Sequence, residues 1–344
     1  MKRPLGRVLV TAALLAGVAG CGGSSDTKDD NASAAPAAAS YPITIEHALG
    51  TTTITEKPER VATVNWANHE VPLALGVVPV GMAAANFGDD DKDGLLPWVK
   101  ERLDELKAET PVLFDETDGI DFEAVADTNP DVILAAYSGL TQQDYDTLSD
   151  IAPVVAYPEI AWGTAWRDSI KLNSKAMGME AEGDKLITSI EGEITEVVGK
   201  YPQLKDKSIM FMTHVDPGDV SEIGFYTRAD TRTLFFEDLG LKVADSIVEA
   251  SKDGQFAGTI SAEQIDVFDD VDIITGYDSA EGGLLDIFQK DALLSKIPAI
   301  ERGSAYLLPS TEPLGTAANP TPLSISWVLE DYVKALAGAA DKVK

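Results

Sequence analysis

"AEGDKLITSIEGEITEVVGKY", residues 181–201, is the stretch on which the fold turns. Leu186, Ile187, Ile190, Ile194, Val197 and Val198 recur at three- and four-residue spacing, the signature of one helical face. Pro202 closes the run. At about 1.5 Å per residue, 20 residues reach roughly 30 Å, the width of a small domain. On either side the texture changes to short apolar runs. Before the helix these are Arg60–Thr63, Val77–Met82, Asp131–Tyr137 and Val154–Tyr157; after it, Ser208–Thr213, Val271–Tyr277 and Ala305–Leu308. Helix-like segments such as 95–107 and 230–239 lie between them. Alternation with near-continuous apolar strands predicts an α/β architecture with mostly parallel sheets.

The two flanks resemble each other. "DFEAVADTNPDVILAAYS" (121–138) parallels "AEQIDVFDDVDIITGYDS" (262–279), and "EVPLALGVVPVG" (70–81) parallels "FFEDLGLKVAD" (235–245). Two copies of one unit predict two Rossmann-like lobes, 41–180 and 203–344, braced by a linking helix over 181–202. Ligands of open α/β sheets sit beyond the carboxyl ends of the strands. A cleft between the lobes is therefore expected, with only a modest closing motion. "ITIEHALGTTTITE" (43–56) alternates at period two and predicts an added hairpin.

The first 20 residues have the make-up of a signal peptide: Lys2, Arg3 and Arg7, an apolar run from Val8 to Val18, then small residues. Val18-Ala19-Gly20-Cys21 resembles the bacterial lipobox, and Cys21 is the only cysteine among 344 residues. A lone thiol in an exported chain forms no internal disulfide, so lipidation at Cys21 is expected. Residues 21–40 are small and polar, a flexible tether to the membrane surface. The chain carries 57 acidic against 27 basic residues, net −30. That charge argues against nucleic acid as a partner, and an anionic ligand would need a locally basic site.

In "NWANHEVPLALGVVPVG" (65–81), Asn68 is placed to cap a helix that Pro72 opens and Gly76 ends. Glu70 stands in its first turn, where a carboxylate gains about 0.3–1 kcal/mol from the macrodipole. His47, His69 and His214 are far apart in sequence, against a metal cluster. "DDDKDGLLPWVKE" (89–101) nearly matches a calcium loop through Asp89, Asp91, Asp93 and Gly94, but position 12 is Lys100. No phosphate loop, Gly-x-Ser-x-Gly elbow or HExxH motif is present, against an enzyme and a cofactor.

A family resemblance rests on the lipobox, "ITIEHALGTTTITEKPERVATVN" (43–65), "EVPLALGVVPVGM" (70–82), "PDVILAAYS" (130–138), the long helix, "FFEDLGL" (235–241) and "GSAYLLP" (303–309). The chain resembles the substrate-binding lipoproteins of ABC importers for ferric siderophores, cobalamin and haem. The hairpin and "AWRDSIKLNSKAMGM" (165–179) are most similar to the iron-siderophore branch. The resemblance implies a monomer on the outer face of the cell membrane. It would capture a ferric siderophore and deliver it to an ABC permease and, through that, to the ATPase. Haem or cobalamin remain alternatives, with a metal-ion-binding lipoprotein and an α/β enzyme behind them. In the family, one outward acid per lobe meets arginines on the permease; carried over, these are Glu70 and Glu237, the latter beside Asp238. An iron chelate calls for aromatic walls and an arginine. The candidates at strand tips and interlobe loops are Trp66, Tyr137, Ser138, Trp162, Trp166, Arg167, Phe225, Tyr226, Arg228 and Tyr277.

Overall fold

The computed structural model describes residues 39–252, 254–310 and 312–343. The expected signal segment, Cys21 and most of the tether lie outside them. The chain opens with the expected hairpin, β1 (Ile43–His47) and β2 (Gly50–Ile54), with His47 opposite Gly50. Ile45, His47, Thr52 and Ile54 point inward, as period-two alternation requires. The Thr52 hydroxyl donates to the Val154 carbonyl, and the Ala48 amide to Tyr157 O (3.0 Å), which pins the hairpin to the neighbouring sheet.

The first lobe is built on β3 (Val61–Thr63), β4 (Gly81–Ala83), β5 (Val112–Phe114), β6 (Val132–Leu134) and β7 (Val154–Val155). Their order is β5-β4-β3-β6-β7, all parallel. Every residue of β3, β4 and β6 is buried, as expected of a sheet covered on both faces. The covering helices are α1 (Glu70–Ala74), α2 (Pro97–Leu106), α3 (Phe122–Asp127), α4 (Gln142–Ser149) and α5 (Trp166–Ala176). Pro79 lacks a ladder donor, so the strand expected over Val77–Met82 begins only at Gly81.

The linking helix is α6 (Glu180–Val198), and Pro202 begins a short 3₁₀ turn beyond it. Ile187, Ile190 and Ile194 form its buried stripe. The second sheet contains β8 (Ser208–Met212), β9 (Glu222–Tyr226), β10 (Lys242–Val243), β11 (Ala257–Ser261), β12 (Ile273–Tyr277) and β13 (Ala305–Leu308). It is mixed: β8, β10, β12 and β13 run parallel, while β9 pairs antiparallel with β8 and with β11. Its helices are α7 (Thr231–Asp238), α8 (Asp245–Ala250), α9 (Leu284–Lys290), α10 (Pro298–Glu301) and α11 (Pro313–Ala317).

The last helix, α12 (Pro322–Ala340), does what the sequence reading did not foresee. It packs on α1, α2 and α6 as well as on β12 and β13. Ile325, Val328, Leu329, Tyr332, Val333 and Leu336 bury its apolar face. One apolar cluster consequently runs from Val71 and Leu103 through Ile187 and Leu329 to Phe211. The two lobes are thus held by two long helices, not one. Among the described residues no helix is long and apolar enough to cross a membrane.

Candidate binding cleft

The cleft begins where β3 ends. Asn65 (φ 58°) and Ala67 (φ 59°) adopt the left-handed conformation, and so does Trp162 (φ 61°) across the gap. Such backbone at non-glycine residues is sparsely populated and persists where surrounding bonds hold it. Here they do. The Asn65 side chain accepts from Gly139 N (3.1 Å) and donates to Glu116 Oε2 (3.1 Å), and its amide also donates to Glu116 (3.0 Å). Asn68 does not cap α1 as its position predicts. Its Oδ1 accepts from Tyr137 N (3.0 Å) and its Nδ2 donates to Tyr137 O and Val64 O (both 2.8 Å). It joins the tips of β3 and β6, and the turn between the two asparagines projects Trp66.

Trp66 and Trp162 flank a cavity of about 430 Å³, floored by Met82, Leu96, Ile120 and Leu140. Asn65, Asn86, Glu116 and Asp144 supply its polar edge. Trp66 also lines an adjoining recess of about 160 Å³ with Phe87, His214, Arg232, Tyr277, Thr316 and Asn319. Tyr277 ends β12; the His214 ring stacks on it at 4.4 Å, 7° from parallel. Phe87 stands edge-on to both rings, at 5.8 and 6.0 Å. Partial burial and the Arg232 charge lower the pKa of His214, so its ring is neutral at pH 7.

Arg232, in the first turn of α7, is the residue the sequence reading missed. Its guanidinium lies 3.7 Å over the Tyr226 ring. Nε and Nη2 donate to the fully buried Asp230 (2.8 and 2.6 Å), and Nη1 donates to the Tyr277 hydroxyl (3.2 Å). A guanidinium has five N–H donors, so two remain without a partner among the described residues. Arg232 lies only four residues beyond Arg228, which the sequence did offer as a candidate.

Of the other expected residues, Tyr137 lies just beneath the cleft, its ring 5.6 Å from Trp162 and its hydroxyl 3.4 Å from Asn319 Nδ2. Ser138 is fully buried and contributes its carbonyl to Trp162 N (2.9 Å). Four expectations need correction. Phe225 faces the core of the second lobe, because β9 is a strand whose alternation turns it away. Trp166 is buried and donates to Asp238 (2.9 Å). Arg167 grips Asp238 with two bonds (2.8 and 2.9 Å) and Glu191 with a third (2.7 Å). This pair ties α5 to α7 and leaves the cleft. Arg228 is exposed and paired with Glu237 (2.6 Å).

The expectation that Glu70 projects from the surface is also overturned. Glu70 is fully buried. Its Oε1 accepts from Trp98 Nε1 (2.7 Å), and Oε2 accepts from the backbone amides of Leu323 (2.9 Å) and Ser324 (3.4 Å). The carboxylate does sit at a helix N-terminus, but that of α12, 253 residues on. Desolvation raises its pKa, and these bonds oppose the rise. Glu237 is exposed and paired with Arg228. In the acidic loop, Lys100 Nζ binds Asp91 (2.7 Å) and Asp93, placing a base where a cation would sit. Asp89, Asp90 and Asp91 are the one acidic group close enough for a metal among the described residues.

His69, beside Glu70, is buried, and desolvation lowers its pKa to about 4. In the unfolded chain it titrates near 6.5. Protonation therefore favours unfolding: the contribution is complete above about pH 6.5 and is lost as the pH falls toward 4. Between pH 7 and 5 the loss is about 2 kcal/mol. Glu70 acts in the opposite sense, since its raised pKa makes the folded state the better proton acceptor. Urea unfolding of His69→Gln, which keeps Glu70, is expected to show a pH 7-to-5 loss smaller than the parent's by about that amount.

Two α/β lobes tied by helices, with an aromatic cleft at the strand tips, define a solute-binding protein. The chain belongs to the family described as periplasmic binding protein, whose profile matches residues 61–312. The crystal structure of Streptococcus pneumoniae TIGR4 PiaA in complex with ferrichrome is similar at 44% identity and a TM-score of 0.84, over 88% of this chain and 100% of that one. The probable siderophore-binding lipoprotein YfiY of Bacillus subtilis (strain 168) is 25% identical over 231 residues, 67% of this chain. That match spans 66% of YfiY, just under two thirds of its length. The ferric-anguibactin-binding protein FatB of Vibrio anguillarum is 25% identical over 85% of this chain and 87% of FatB.

Proposed function

We propose that this protein captures a ferric siderophore, of the hydroxamate type that ferrichrome represents, and passes it to an ABC permease. The observation that carries the reading is the cleft itself: Trp66 and Trp162 flank the cavity, and Phe87, Tyr277 and Arg232 line the recess that Trp66 shares with it. Rings cover a bulky chelate at little entropic cost, and a guanidinium meets its iron-bound oxygens. Iron arrives as cargo within the chelate. Recognition of this kind needs no bond making or breaking, and recovery of the chelate unchanged after incubation is expected. The names of the lipoprotein relatives support an extracytoplasmic position with Cys21 as the lipid anchor. Glu237 is the remaining outward acid for the permease; the first lobe's contribution no longer falls on Glu70.

Trp66 and Trp162 report binding directly. Titration with ferrichrome is expected to quench tryptophan fluorescence with a Kd below about 1 μM, some 8 kcal/mol of binding free energy. Absence of quenching by ferrichrome and by other ferric hydroxamates up to tens of micromolar defeats the reading. A panel including haem and cobalamin separates the alternatives within the family. Gly139 offers a second check. A Cβ there would lie 2.2 Å from Trp162 Nε1, so Gly139→Ala forces the indole off its seat. Loss of one aromatic anchor typically costs about 2 kcal/mol, and roughly thirtyfold weaker binding is expected by the same titration.

A further inference from the structure

Granting that reading, the charges around the cleft say which chelates it admits. Three charged side chains line the cavity and its adjoining recess: Glu116, Asp144 and Arg232. Arg232 is already neutralised by two bonds to Asp230, which is fully buried. It offers donors without net charge. His69 and His214 are neutral at pH 7, their pKa values lowered by burial. Among the described residues Glu116 and Asp144 have no basic partner: Glu116 is bonded by Asn65 N and Nδ2, and Asp144 by the Thr141 amide (2.9 Å) and hydroxyl (2.7 Å). Burial raises the pKa of Glu116, and the bonds from Asn65 oppose the rise. The cleft is therefore net negative, inside a chain of net charge −30.

We infer that the cleft selects its guest by charge, admitting ferric chelates that are neutral or cationic and refusing multiply anionic ones, with Glu116 as the specificity-determining residue. The chemistry divides the siderophores accordingly. Three hydroxamates cancel the ferric charge, and a free ammonium group on the chelator makes the complex cationic. Three catecholates leave three negative charges on the complex. Such a guest would meet the unbalanced carboxylate of Glu116 at the cavity wall. Glu116 is suited to this role because Asn65 fixes it at the cavity wall while Asn65 itself holds the Trp66 turn.

The test uses tryptophan quenching of the full chain with three probes: ferrichrome, a linear ferric trihydroxamate bearing a free ammonium group, and a ferric tricatecholate. The expected result is that the first two bind at least about a hundredfold more tightly than the third. In Glu116→Gln, the affinity ratio of tricatecholate to ferrichrome should rise about tenfold, and Glu116→Asp, which keeps the charge, should return the ratio toward the parent's. Salt gives a variant-free arm. Screening between low and high ionic strength should tighten the tricatecholate while moving ferrichrome far less. Comparable binding of the tricatecholate and ferrichrome, or a ratio that neither Glu116→Gln nor salt moves, overturns the inference. Failure of every ferric chelate to quench would instead defeat the proposed function.

Discussion

Glu70→Ala is expected to lower the free energy of unfolding by about 4 kcal/mol, although the substitution is far from the aromatic walls. Truncation removes the acceptor of the Trp98 indole N–H and of two amides in the first turn of α12. Buried donors left unpaired cost about 1–3 kcal/mol each. Pro322 occupies the first position of α12 and has no N–H, so the amides of Leu323 and Ser324 are the ones a cap must serve. Glu70 serves both from the other lobe, the Leu323 amide alone and the Ser324 amide together with the Thr321 side chain. In a domain of this size each kcal/mol moves Tm by roughly 2–4 °C, so a fall of about 10 °C is anticipated. Glu70→Gln keeps one acceptor oxygen but turns an amide toward a donor, and an intermediate loss is expected. A change below about 1 kcal/mol in urea and thermal unfolding would show that α12 is held by its apolar face alone.

Arg232→Ala is expected to weaken ferrichrome binding about a hundredfold and to destabilise the fold by about 3–5 kcal/mol. The stability loss has a single origin. Asp230 is fully buried, and without the guanidinium its charge has only the amide of Arg232's own position to answer it. The binding loss has another origin: the two N–H donors that Asp230 and Tyr277 leave free beside the recess disappear, together with the cation that lies 3.7 Å over Tyr226. A double variant separates the two. Asp230→Asn with Arg232→Met removes the buried charge as well as its partner, and replacing both members of such a pair is commonly near neutral. Most of the stability should return while binding stays weak. Full binding by the double variant would reduce Arg232 to a structural residue.

The lobes and the brace were legible because their signals are local. Helical spacing across 186–198 and apolar runs ending in Tyr137 and Tyr277 are properties of adjacent residues. The mixed second sheet was not, since β9 carries Gly224 and its antiparallel pairing with β8 depends on the course of residues 213–221. Within the cleft, Trp66, Trp162 and Tyr277 stand at strand ends or in the loops beyond them, where the α/β rule places ligand residues. Arg167 and Arg232 cannot be told apart by composition; only folding reveals that one faces Asp238 across α7 and the other faces the recess. Glu70 was misread for the same reason. An acid in the first turn of a short helix looks exposed until the partner that covers it, 253 positions away, is known.

That separation governs the order in which the molecule can be made. The first lobe holds a carboxylate whose amide partners emerge from the ribosome only after nearly all the rest of the chain. Until residues 322–324 arrive, Glu70 lacks two of its hydrogen-bond donors. A contact of such long sequence separation raises the contact order, and folds that depend on contacts of this kind form slowly.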